Sequence, residues 1–117
     1  MSHTVLKNVT LANGSGADIE IENGIISAIG SSSAGGVDCS GLIALPGFVD
    51  VHTHLREPGF EASETVLSGT KSAASGGYTA VLAMANTFPV ADSSEIVDQI
   101  FDLGIASVTP KFNRLVQ

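Results

Sequence analysis

The run YTAVLAMA, Tyr78–Ala85, carries no charged side chain. It is far shorter than the ~18 apolar residues that span a membrane. It has the composition of a strand covered on both faces, and such strands belong to parallel sheets. The residues before it supply the crossover that a parallel pair needs. ETVLSGTKSAAS, Glu64–Ser75, places Val66, Leu67, Thr70, Ala73 and Ala74 at helical spacing, and Gly76-Gly77 stops that helix. GFVDVHTHL, Gly47–Leu55, is the β-rich partner strand. Beyond the loop NTFPV, Asp92 opens a second helix, with Glu95 at capping-box spacing. Ile96, Val97, Ile100 and Phe101 form its buried stripe, Glu95, Asp98, Gln99 and Asp102 its wet face, and Gly104 its end. IASVT, Ile105–Thr109, then reads as a third strand. This β-α-β-α-β order predicts parallel strands joined by right-handed crossovers.

Residues 1–46 read differently. VLKNVTL, Val5–Leu11, is a first strand, and ADIEIENGIISAIG, Ala17–Gly30, is a hairpin turning at Asn23-Gly24. The register implied pairs Glu22 with Ile25, Ile21 with Ile26 and Ile19 with Ala28, which puts Ile19, Ile21, Ile26 and Ala28 on one buried face. SSSAGG is a loop, and VDCSGLIALP, Val37–Pro46, returns as short strands broken at Gly41. The chain therefore divides into a small β-rich domain, 1–46, and an α/β part, 47–117.

Composition narrows the partners. The net charge is −7, and the five basic residues, Lys7, Arg56, Lys71, Lys111 and Arg114, do not cluster. Nucleic acid is excluded as a partner, because phosphate binding needs grouped Lys and Arg. The lone cysteine, Cys39, can form neither an internal disulfide nor a thiolate metal cluster. The N-terminus lacks the basic start and apolar stretch of a signal peptide. A soluble, cytoplasmic protein is expected, with no membrane partner.

The strand Gly47–Leu55 carries chemistry. Residues two apart on a strand share a face, so Phe48, Asp50, His52, His54 and Arg56 point one way if the strand stays regular, and Val49, Val51 and Leu55 the other, under helices. Leaving two imidazoles, a carboxylate and a guanidinium buried and unsatisfied would cost several kcal/mol. A divalent cation is the economical partner, and imidazole suits zinc. His52 and His54 are thus candidate metal ligands and Asp50 a supporting residue behind them. Arg56, whose planar fork suits a carboxylate, faces the substrate. The plainer account is two polar residues at a strand end, but the arginine in phase and the Pro-Gly turn speak against it. Asn86 follows the second strand and would share the same rim in a parallel barrel. From spacing alone, a turn-forming Asn is its simpler account. His3 reads as a solvated residue of a frayed terminus.

LPGFVDVHTHLREPG, followed by ETVLSGTKSAASGGYTAVLAMANTFPV, resembles the N-terminal region of a dihydroorotase of the amidohydrolase superfamily. Related cyclic amidases share His-x-His, whereas Leu-Arg-Glu-Pro-Gly directly after it points to dihydroorotase. The resemblance implies a small β-rich domain followed by the first β/α units of a TIM-barrel metal-dependent hydrolase, the barrel being incomplete in this chain. It implies one or two Zn²⁺ ions in a complete enzyme, with His52 and His54 as ligands and Arg56 and Asn86 binding the substrate carboxylate. The implied reaction interconverts dihydroorotate and N-carbamoyl-L-aspartate in pyrimidine biosynthesis. Two departures stand out. Ala85 replaces the family's usual proline before Asn-Thr, and PKFNRLVQ at the end does not resemble family sequence.

The ligand set is incomplete. After Arg56 the chain has no histidine, its later lysines are Lys71 and Lys111, and Asp92, Asp98 and Asp102 cap or coat one helix. Two histidines are one short of the three protein ligands usual for catalytic zinc. The general acid/base is therefore expected beyond residue 117, and the chain alone is expected to be an inactive fragment. Other readings are a hydantoinase- or allantoinase-like amidase, or a non-catalytic subunit docking on aspartate transcarbamoylase. A homo-oligomer is a further expectation, because part of a barrel leaves a strand edge unpaired.

Overall fold

The computed structural model describes residues 2–107. They form two compact units that divide at Pro46 and Gly47.

In the first unit, β1 (His3–Leu11), β2 (Gly16–Glu22), β3 (Ile25–Gly30), β4 (Val37–Asp38) and β5 (Ile43–Ala44) form one sheet in the order β3-β2-β1-β4, with β5 also on β1. Asn23 at φ 52 and Gly24 at φ 82 make the tight β2–β3 turn that the Asn-Gly pair favours. Its register holds at Glu22↔Ile25 and Ile21↔Ile26, then slips, so that Ile19 faces Ile29 rather than Ala28. The bulge lies opposite the step from Glu20 to Ile21, and the face expected to be buried is covered only at β2. Ile19 is buried and Ile21 half-buried, but Ile26 is 58% exposed. The core beneath the sheet is Val9, Ile19 and Cys39, flanked by Leu6, Leu11, Ile21 and Ala44.

A second bulge bends β1, where the pairs Leu6↔Ile19 and Val9↔Ala17 leave one residue over. Asn8 takes φ 61 there, and its N–H, released from the ladder, donates to Asp18 Oδ1 at 2.9 Å. Asp18 Oδ2 also accepts from Lys7 Nζ at 2.7 Å and from Ser32 N at 2.9 Å. These donors, the Lys7 ammonium first, hold the Asp18 pKa down at about 2. His3 is not frayed. It lies in β1 opposite Glu22, and Ser2 and Asn23 exchange hydrogen bonds that pin the strand end. Its Nε2 sits 3.7 Å from Glu20 on an exposed surface.

The second unit runs β6 (Phe48–Thr53), α1 (Val66–Ser75), β7 (Tyr78–Ala83) and α2 (Ser94–Ser107), with β6 and β7 parallel. Helix α1 begins at Val66, the first residue of the apolar spacing and two residues inside the segment Glu64–Ser75, because Thr65 and Ser68 build a capping box. Thr65 Oγ1 accepts from Ser68 N, and Ser68 Oγ accepts from Thr65 N. Gly76 caps its C-terminus, and Gly77 at φ 83 turns the chain into β7. Helix α2 does not stop at Gly104, nor do Ile105–Ser107 form a strand; they continue the helix, while Val108 and Thr109 lie outside the described residues. One interior glycine costs a helix only about 1 kcal/mol. Leu103 just before it packs on the core of Leu55, Val66 and Val81, which favours helix through this point.

That core is small. Val81 is buried, but Tyr78 is exposed, so among the described residues β7 is not covered along its whole length on both faces. Leu55, just beyond the end of β6, packs on Val66 of α1. Val49 is 56% and Val51 68% exposed, against the expectation that all three pack inward. Two helices cannot cover both faces and both edges of a two-stranded sheet.

Candidate metal and substrate site

The carboxyl end of β6 builds the site. Asp50 pairs with Val81 and Thr53 with Ala83, three steps on β6 against two on β7, so one residue is extra. A bulge of this kind frees a backbone donor and re-aims side chains. The freed N–H belongs to His52, and Asp50 Oδ1 accepts it at 2.9 Å. Asp50 thus fixes His52 through its backbone.

Strand β6 ends at Thr53, so simple alternation does not extend to His54 or Arg56. The imidazoles nevertheless meet. His52 Nε2 and His54 Nε2 are 3.2 Å apart, with the rings edge to face at 5.0 Å between centroids. Two nitrogen ligands of one tetrahedral zinc, each at 2.0–2.1 Å, stand about 3.3 Å apart. The pair therefore fits around a single cation.

Asn86 completes the arrangement from the loop after β7. Its Oδ1 lies 2.8 Å from His54 Nδ1. An amide oxygen can only accept, so this contact calls for the proton on Nδ1, the tautomer that leaves Nε2 to a metal. The sequence suggested a substrate ligand or a turn former at position 86. The structure adds a contact to a histidine that local spacing could not reveal, because it spans two strands.

Arg56 is half-buried in the turn that follows. Its carbonyl accepts from Phe60 N at 2.9 Å, and Pro58 O accepts from Phe88 N at 2.9 Å. The loops after β6 and β7 are thereby joined. Gly59, at φ 102, lies so close to Phe88 that a Cβ would strike its carbonyl oxygen. Glu57, quoted above only as part of a motif, sends Oε2 to Val66 N at 2.8 Å, at the start of α1. No local pattern marks that contact, which bridges nine residues.

Known proteins resemble this chain along most of its length. A family model described as Dihydro-orotase-like matches residues 41–110. A dihydroorotase of Streptomyces coelicolor is 52% identical over 108 residues, covering 89% of this chain and 25% of its own. One from Leifsonia xyli is 54% identical over 107 residues, covering 88% and 24%. Among solved structures, an L-hydantoinase (dihydropyrimidinase) from Arthrobacter aurescens superposes with a TM-score of 0.71 at 26% identity, covering 89% of this chain and 25% of that one. The chain thus spans about a quarter of the length of these relatives. With the family match covering more than half of its residues, and dihydroorotases about half identical along nearly all of it, the chain belongs to the dihydro-orotase-like family.

Proposed function

We propose that this chain is the metal- and carboxylate-binding N-terminal part of a zinc-dependent dihydroorotase, a cytoplasmic enzyme of pyrimidine synthesis. The observation that carries the reading is the 3.2 Å approach of His52 Nε2 and His54 Nε2, with His54 Nδ1 held by Asn86. In this reading residues 1–46 are the small β-rich domain before the barrel, and residues 47–117 are its first β/α units. A bound zinc ion supplies Lewis acidity and an activated water for opening a cyclic amide. His52 and His54 would hold that ion, Asp50 sets the backbone of His52, and Asn86 sets the ring of His54. Arg56 offers a planar fork to the substrate carboxylate, and Asn86 lies at the same rim to share it. Holding the carboxylate aligns the ring for attack. The general acid/base and the remaining metal ligands come from outside this chain.

A hydantoinase-type reading has the solved neighbours in its favour. Arg56 separates the two, since a substrate without a carboxylate gives it nothing to grip. The test is a composite enzyme in which residues 1–107 replace the matching quarter of the Streptomyces coelicolor dihydroorotase. It should open dihydroorotate and ignore hydantoin, and His52→Ala or His54→Ala should abolish turnover. Full activity in the double His→Ala composite would refute the reading. Preference for hydantoin would replace it with the hydantoinase reading.

A further inference from the structure

We propose that Glu57 is a positioning residue for Arg56, holding it in place by clamping the loop after β6 to the first turn of α1. The proposal rests on the carboxylate-binding role given to Arg56 above.

Both chain neighbours of Arg56 are tied to Val66. Leu55 is buried in one core cluster with the Val66 side chain, and Glu57 Oε2 accepts from the Val66 N–H at 2.8 Å. Val66 itself is fully buried, so the anchor does not move with the surface. Arg56 is thus suspended between a packed leucine and a charge-assisted hydrogen bond. The next residues restrain it from the far side. Its own carbonyl accepts from Phe60 N, and Pro58, which is buried, bonds Phe88 N.

The first-turn N–H groups of a helix have no partner within the helix, and negative charge is favoured there. The Thr65–Ser68 box already caps α1 locally. Glu57 adds a second acceptor from outside the helix, and this one reaches the loop that carries the guanidinium. Stabilising α1 and aiming Arg56 are therefore separable, because removing Thr65 touches only the helix, whereas removing Glu57 releases the loop.

That separation defines the experiment. In the 117-residue chain, Glu57→Ala, Glu57→Gln and Thr65→Ala are compared by backbone NMR and amide exchange. Glu57→Ala should shift the Arg56 and Phe60 amides and speed exchange at Val66. Glu57→Gln, which keeps an acceptor oxygen, should restore both, and Thr65→Ala should leave the Arg56 amide in place. In the composite enzyme, Glu57→Ala should raise KM for dihydroorotate about tenfold with zinc content little changed and any fall in kcat smaller than the rise in KM, since a loosened Arg56 loses binding that ground state and transition state share. An unmoved Arg56 amide in Glu57→Ala, or a KM no higher than that of Thr65→Ala, would overturn the proposal. Should the composite with native Glu57 fail to turn over dihydroorotate, the functional reading falls, and the NMR comparison alone still decides whether Glu57 sets Arg56.

Discussion

Asp18 and Asn86 are single residues that each organise more than their own surroundings. Asp18 collects an ammonium and two backbone N–H groups at the β1 bulge, and its pKa is lowered to about 2. A carboxylate with a depressed folded pKa adds stability above its unfolded pKa and loses it as pH falls through the folded value. The contribution of Asp18 to the first unit is thus full above about pH 4 and fades towards pH 2. Asp18→Asn should flatten the dependence of that unit's melting temperature on pH between about 5 and 2 relative to the parent. An unchanged slope would assign the acid sensitivity to other groups. Asn86 matters through His54. Outer partners of metal-bound histidines are worth about 10- to 100-fold in affinity, so Asn86→Ala should weaken zinc binding by that order in calorimetric titration. His52→Ala should remove binding at this pair. At this scale the sequence was partly legible. His52 and His54 stand two apart in the chain, and the structure brings their rings together. The bonds of Glu57 to Val66 and His54 to Asn86 join residues 9 and 32 apart, and no strand or helix spacing encodes them.

At the level of elements, capping residues and bulges decided what apolar periodicity left open. The Asn23-Gly24 turn was legible because few dipeptides accept two left-handed residues in succession. Gly24→Ala should destabilise the first unit by about 1–2 kcal/mol in chemical denaturation, since φ 82 strains any side chain. Thr65→Ala should cost the second unit about 1 kcal/mol through loss of the helix cap. Each substitution should leave the midpoint of the other unit unchanged if the two unfold separately. Periodicity misplaced the end of α2, because a glycine reads as a stop when the packing of its neighbours is unseen. It also missed four register breaks, in β1, between β2 and β3, in β7 opposite the step from Phe48 to Val49, and in β6, since an extra residue leaves no mark on composition. The last of these lies just before the two imidazoles, at His52, whose N–H turns to Asp50.

At the scale of the whole molecule, the two β-α steps of the second unit followed from the sequence, and so did the β character of the first. The degree of burial did not. Strand composition records the environment in which a strand is covered, and here Val49, Val51 and the start of β7, Tyr78 and Thr79, remain open to solvent. Exposed apolar strands with unpaired edges are templates for association. The isolated chain should therefore show a sedimentation coefficient that rises with concentration, and Val51→Lys should reduce the rise. A coefficient independent of concentration would mean that these faces are tolerated in water. The stitching of the two loops has a different consequence. Because Pro58 reaches Phe88 and His54 reaches Asn86 inside a single β-α-β turn, the two imidazoles and their braces are held within one continuous stretch of chain. Grafted onto the rim of an unrelated parallel barrel, the segment should bring the close approach of its two imidazoles with it, which the structure of the graft would check.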